Sequence, residues 1–205
     1  LVLEHLVLGP GNEFAYRALG GQLASLHAHH GDRFGWRRDN FIGTTAQRNR
    51  ESESWPEFWQ RERLAPQLAL AADNGMRGGL QRLGEALIAA LPQVLADYAP
   101  VPALLHGDLW SGNAAFLADG TPVLFDPAVY FGDREADLAM TELFGGFPAA
   151  FYAAYREAAP LAEGYPLRRT LYNLYHVLNH ANLFGGGYAA QAERMMERLL
   201  AETKG

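Results

Sequence analysis

The sequence predicts an α+β chain, mostly α-helical, with one small β-hairpin in its middle. Three observations carry that reading. Apolar residues recur at helical spacing, as at Leu19, Leu23 and Leu26. Asp119-Gly120 stands between two apolar runs, a strong hairpin signal. Paired and tripled glycines, Gly145-Gly146 and Gly185-Gly186-Gly187, separate the later helical stretches.

The elements follow in order. Leu1-Val2-Leu3 reads as a short strand, and a chain opening inside a strand is expected to have a segment upstream. Gly9-Pro10-Gly11 ends that strand, and Asn12 caps a helix over 14–29. Residues 31–49 form a long polar loop, and long loops in compact domains are often functional. Ser54, Pro56 and Glu57 make a helix start, with the cap first and an acid near the positive end. That helix runs towards Ala72 and is expected to bend at Pro66. Another spans 80–90, with a further turn after Pro92. Ala103-Leu104-Leu105 is a buried strand candidate, and 114–117 with 122–125 form the hairpin. Helices are expected over 134–144, 148–158, 167–183 and 188–202. No repeat or linker divides the chain, so a single domain is expected.

Bulk properties narrow the function. Apolar residues make up 49% of the 205, enough to build a core and to argue against disorder. The formal charge of −6 argues against a nucleic-acid partner, which usually needs a basic face. Cysteine is absent, which excludes disulfides, a thiolate nucleophile and thiolate metal ligands, and fits a cytoplasmic location. Apolar runs stop well short of the roughly 20 residues that span a bilayer, so no membrane partner is expected.

The chemistry concentrates in His106-Gly107-Asp108-Leu109-Trp110-Ser111-Gly112-Asn113, followed by Phe125-Asp126-Pro127. Asp108 follows a strand, Asn113 starts the hairpin, and Asp126 lies at its far end. A two-stranded ribbon returns on itself, so Asp126 is expected beside Asn113 with Asp108 at the ribbon's mouth. Three oxygen-bearing side chains without a soft ligand suit Mg²⁺, which keeps waters and takes phosphate oxygens. Phosphoryl transfer needs such a metal and a separate carboxylate for the attacking hydroxyl. Asp and Asn near turns also serve their own backbone. The joint pattern, rather than any one residue, points to catalysis.

This pattern resembles the catalytic and metal-binding loops of the protein-kinase-like fold, in its aminoglycoside/choline kinase branch. The narrower likeness is to the fructosamine/ketosamine kinases. It rests on 106–113, on the run 125–139, on the block 39–49 and on the helix 55–68, in order along nearly the whole chain. The resemblance implies a large C-terminal lobe over 9–205, with the hairpin carrying the catalytic and metal loops. Asp108 would be the catalytic base, and Asn113 and Asp126 would hold Mg²⁺. Residues 1–8 would be the hinge, meeting the adenine of ATP through main-chain groups at Glu4 and Leu6. Trp110 would stack on the sugar, and Asp133 would face the substrate. His106 would steady the loop, and Asp137 would anchor its backbone. In this fold a small β-rich N-terminal lobe supplies a phosphate-covering loop and a lysine. The chain's sole lysine is Lys204, in the tail. The ATP-binding lobe is therefore expected to be missing from the chain, leaving it inactive alone.

The implied activity is ATP- and Mg²⁺-dependent phosphorylation of a ketosamine sugar hydroxyl, free or on glycated protein. Two rivals stand beside it: an aminoglycoside or choline kinase of the same fold, and a non-catalytic remnant lobe. Other residues are weaker candidates. His27, His29 and His30 have irregular spacing for a metal site. His176 and His180, one helical turn apart, read with Asn179 and Asn182 as a polar helix face lining the substrate cleft. Arg37, Arg38, Asp39, Asn40 and Gln47 are either solvated or near the substrate.

Overall fold

Leucine, tryptophan and tyrosine side chains repeat along the helices at intervals that can close only around a shared interior, and the fold is built on that. The structure, a computed structural model, describes residues 4–203. The strand expected at Leu1–Leu3 lies outside the described residues. In chain order the elements are α1 (Glu13–His27), β1 (Asn40–Ile42), β2 (Thr45–Gln47), α2 (Trp55–Phe58), α3 (Ala65–Asp73), α4 (Gly79–Val94), β3 (Ala103–Leu105), β4 (Ala114–Phe116), β5 (Pro122–Leu124), β6 (Tyr130–Gly132), α5 (Glu135–Leu143), α6 (Ala149–Ala158), α7 (Tyr165–Phe184) and α8 (Tyr188–Glu202).

Caps explain several boundaries. The Asn12 side chain accepts from the Ala15 amide at 2.9 Å and starts α1. Ser54 does the same for the Glu57 amide at 3.4 Å and starts α2. α7 is the central helix, with α3, α5 and α8 packed on it, and α4 packs on α8. The larger core gathers Trp55, Trp59, Leu87, Leu91, Tyr172 and Leu178. A second core, between α1 and α6, joins Leu19 and Leu23 to Phe151 and Tyr155, with Leu109 and Leu138 beneath.

Among the described residues, three small antiparallel sheets replace the one expected. β4 pairs with β5 in the register Ala114↔Leu124, and the Asp119-Gly120 turn closes that hairpin. β3 pairs with β6, and β1 with β2. The long loop over 31–49 thus contains a hairpin turned at Gly43-Thr44, with Gly43 at φ 58. The helix expected to run towards Ala72 is interrupted before Pro66 by a π-helical stretch, Trp59–Leu64, between α2 and α3. Proline lacks the N–H that would reach back four residues, and the wider turn before it absorbs the fault. Pro92 does not end its helix, since α4 runs through it to Val94.

Phe151 is fully buried where α1 crosses α6. Phe151→Ala is expected to cost about 3–5 kcal/mol in urea unfolding, the loss typical of a buried aromatic. A loss below about 1 kcal/mol would show that this interface does not hold the second core.

Candidate active site

A buried carboxylate fixes the loop that follows β3. Asp137, in the first turn of α5, accepts from the His106 amide at 2.8 Å through Oδ2 and from the Gly107 amide at 2.8 Å through Oδ1. His27 of α1 meets the same Oδ2 at 3.1 Å, and Tyr155 meets the other nitrogen of that imidazole at 2.7 Å. Burial raises the Asp137 carboxyl, but the His27 hydrogen bond and neighbouring positive charge outweigh it, leaving it below the usual range. Gly107 has φ +85, and a Cβ there would stand 2.0 Å from the Ala128 carbonyl oxygen. Only glycine fits, because the loop passes so close to the segment before β6.

His106 spans the same gap from the other side. Its Nε2 bonds the Phe125 carbonyl at 2.9 Å, and its Nδ1 accepts from the Asp108 amide at 3.3 Å. Asp108 emerges at the cleft with its side chain one-fifth exposed. Burial pushes its carboxyl up to about 6, with Asp137 and Asp126 adding and His180 and Asn113 opposing. That range suits a group that must take a proton near neutrality.

Asn113 is buried at the start of β4 and gives its amide N–H to the Asp108 carbonyl at 2.9 Å. Its amide oxygen is the atom left for a ligand. The Phe125 amide donates to the Asn113 carbonyl at 3.2 Å, so the hairpin register brings the segment carrying Asp126 back beside Asn113. Asp126 is exposed and holds φ 52, the one non-glycine residue with positive φ among the described residues. Such backbone persists where its surroundings impose it, and functional sites are where it concentrates. Two oxygen donors beside a carboxylate base fit Mg²⁺, which completes its shell with water and phosphate oxygens. Among the described residues no group of three or more His, Asp or Glu is gathered as an all-protein cage.

Trp110 is 38% exposed and packs over Gly112, where a Cβ would stand 2.3 Å from the indole ring. It flanks a cleft of about 480 Å³ that Asp108 also lines. The opposite wall comes from α7 and the start of α8: His176, Asn179, His180, Phe184 and Tyr188. Ile42 of β1, Gly43 of the β1–β2 turn, Met140 of α5, Phe144 after it and Leu183 of α7 complete it. Sequence reasoning pointed to the two histidines and Asn179. It missed Ile42, Phe144, Phe184 and Tyr188, although Gly43-Thr44 between short runs and the aromatics flanking Gly185-Gly186-Gly187 were available signals.

Asp133 needs correction. It does not face the substrate: it is fully buried, accepting from the Tyr98 hydroxyl at 3.0 Å and the Tyr172 hydroxyl at 2.5 Å. Polar residues at a helix start belong in the interior when tyrosines stand there to satisfy them. Asn40 and Gln47 also turn inward, holding the Val129 and Ala128 carbonyls at 2.8 and 3.0 Å. Asp39 accepts from the Asn49 amide at 2.8 Å, while Arg37 and Arg38 are exposed. Asn182 bonds Gln67 rather than lining the cleft. Glu4 is exposed and Leu6 half-buried, on the segment that joins the hairpin through paired Gly9–Phe116 hydrogen bonds.

A mostly helical chain whose strand–loop–hairpin unit sets Asp108 in the cleft wall, with Asn113 bonded to its carbonyl, has the kinase-like fold. The fold is shared with the choline kinase LicA of Streptococcus pneumoniae, at a TM-score of 0.63 and 14% identity over 98% of this chain and 69% of that one. The family model "Fructosamine kinase" matches residues 1–202. The chain belongs to the fructosamine kinase family. It is 52% identical to a "Probable ketoamine kinase" of Synechocystis sp. over 98% of this chain and 67% of that protein. It is 40% identical to the chloroplastic protein-ribulosamine 3-kinase of Arabidopsis thaliana over 100% of this chain and 63% of that protein. A crystal structure from Thermobifida fusca, provisionally named a fructosamine-3-kinase, superposes with a TM-score of 0.89 at 38% identity, over 97% of this chain and 69% of that one. The chain spans about two thirds of the length of these relatives.

The Asp133 carboxyl is pushed up to about 6 by burial, with the Glu135 charge adding, against hydrogen bonds from Tyr172, the Glu135 amide and Tyr98. A folded-state value above the unfolded one near 3.9 means the protonated acid favours folding. That contribution is full below about pH 4 and is lost as pH rises through about 6. Wild-type stability should therefore fall relative to Asp133→Asn between those limits, by roughly 2–3 kcal/mol in urea unfolding. A gap constant across the window contradicts this placement.

Proposed function

We propose that this chain is the catalytic lobe of an ATP-dependent phosphotransferase that acts on a sugar hydroxyl of a ketosamine, free or on glycated protein. The observation that carries the reading is Asp108, held by its loop at the head of the cleft with Asn113 and Asp126 returned beside it. Family membership supports the reaction, and the names of the relatives support the acceptor class. The cleft supports it too: Asp108 and Trp110 line it together. Trp110 offers an aromatic face to a sugar ring.

Asp108 orients the acceptor hydroxyl and accepts its proton as the oxygen attacks. Asn113 and Asp126 are the groups that would hold Mg²⁺, which neutralises charge on the phosphates when bound. Glu4 and Leu6 remain the positions assigned to main-chain recognition of adenine. Asp137, His27 and His106 hold the loop so that the base is positioned before substrate arrives. No described helix is long and apolar enough to cross a membrane. Together with the lack of cysteine, this supports work in the cytoplasm.

The test uses the protein as its gene encodes it, with γ-labelled ATP and fructosyl-n-butylamine, choline or an aminoglycoside as acceptor. Label should pass to the fructosamine. Asp108→Asn should lower kcat by about 10²–10⁴-fold, the contribution of a general base, with the fold intact by circular dichroism. Unchanged turnover in that variant ends the proposal. Label passing to choline instead ends the acceptor assignment. In a second experiment, Asp126→Asn should raise the Mg²⁺ concentration for half-maximal rate several-fold while leaving the melting temperature near wild type. An unaltered Mg²⁺ requirement removes Asp126 from the metal site.

A further inference from the structure

The α7 wall of the cleft holds a group that the scheme above leaves unused. His176 is 4% exposed, and its Nδ1 is buried without a hydrogen-bond partner among the described residues. That nitrogen lies 3.9 Å from Asp108 Oδ1, beyond direct hydrogen-bond reach. The next histidine is already engaged, since His180 Nδ1 bonds the His176 carbonyl at 2.7 Å. Buried polar atoms in native proteins are paired, and one left open beside a catalytic carboxylate calls for a partner that arrives later.

We propose that His176 is a specificity contact of the acceptor site. Its Nδ1 hydrogen-bonds the acceptor oxygen adjacent to the one whose proton Asp108 takes. The inference rests on the reading of Asp108 as the base. Two groups separated by 3.9 Å and lining one cleft can share neighbouring oxygens of a single molecule. The substrate class follows: a vicinal diol, as in a sugar, satisfies both groups. An alcohol with an isolated hydroxyl satisfies Asp108 and leaves Nδ1 buried and unpaired, which is how a polar site rejects an analogue lacking one hydroxyl. Burial, with His180 adding, pushes the imidazole down to about 3, so His176 enters the site neutral with a single N–H. Facing the Asp108 carboxylate, the tautomer protonated on Nδ1 is favoured, and Nδ1 donates to the neighbouring oxygen.

The experiment pairs two variants with a set of acceptors in the protein as its gene encodes it. His176→Phe keeps a ring without the nitrogen, and His176→Asn restores an amide near the place of Nδ1. The acceptors are fructosyl-n-butylamine and its mono-deoxy analogues, each lacking a different hydroxyl. His176→Phe should lower kcat/KM for the parent acceptor about 10- to 100-fold, the loss expected for one buried hydrogen bond. The KM for ATP should stay unchanged, and His176→Asn should recover a large part of the loss. One deoxy analogue should show a matching loss with wild type and no further loss with His176→Phe. If His176→Phe melts early, the wild-type and His176→Asn pair across the same analogues carries the test. Equal kcat/KM for wild type and variants, or a variant penalty that persists on every analogue, overturns the inference. Asp108→Asn, run in parallel, separates the two claims. Retained turnover there removes the base and this contact together, whereas its loss beside an additive cycle removes His176 alone.

Discussion

Two backbone amides, those of His106 and Gly107, point at one buried carboxylate, and the geometry of the active site descends from that contact. Asp137 receives both at 2.8 Å and is itself met by His27 at 3.1 Å. The loop after β3 could otherwise take many conformations, because a glycine with positive φ sits in its middle. A charged acceptor in a dry interior makes strong hydrogen bonds, and losing any partner would strand a charge. The arrangement therefore has one low-energy state. It joins three separate parts of the chain: α1 through His27, the loop after β3 through its amides, and α5 through Asp137.

The tyrosines distribute the remaining polar groups. Tyr98 and Tyr172 take up Asp133, Tyr155 takes up His27, and Tyr175 donates to Gln47 at 2.8 Å. Each ring fills core volume while its hydroxyl bonds a buried partner, so Asp133, His27 and Gln47 reach the interior with partners waiting. Arg63 works similarly on the other flank. Its guanidinium is buried over the Tyr130 ring at 4.0 Å and donates to Asn49 Oδ1 at 2.8 Å, tying the end of the β1–β2 hairpin to β6.

How much of this was legible in the sequence depended on range. The β4–β5 hairpin was readable because Asp119-Gly120 is a local turn signal, and from it the return of Asp126 towards Asn113 followed by register. The helices after Asp126 were readable from spacing, and α8 has the boundaries its pattern implies. β6 was not, because Tyr130–Gly132 pairs with a strand more than 20 residues away and carries no turn of its own. The side on which Asp133 falls was equally hidden. It stands just before α5, and only the distant Tyr98 and Tyr172 reveal that its carboxylate points inward. The aromatic wall of the cleft escaped notice because Phe144 and Phe184 end helices, where an apolar residue has no periodic partner to mark it.

The π-helical stretch before α3 makes length itself a requirement. A turn holding an additional residue rotates everything beyond it by about 100° relative to a regular helix. Within that stretch Trp59, Glu62, Arg63 and Leu64 are buried. Removing a single residue there would let the segment relax into ordinary helix and swing the guanidinium away from its aromatic seat. The sheet edge bordering the cleft would then come loose, though every other side chain lining the cleft stayed in place. Spacing in this segment thus guards the pocket from a distance, through winding rather than contact.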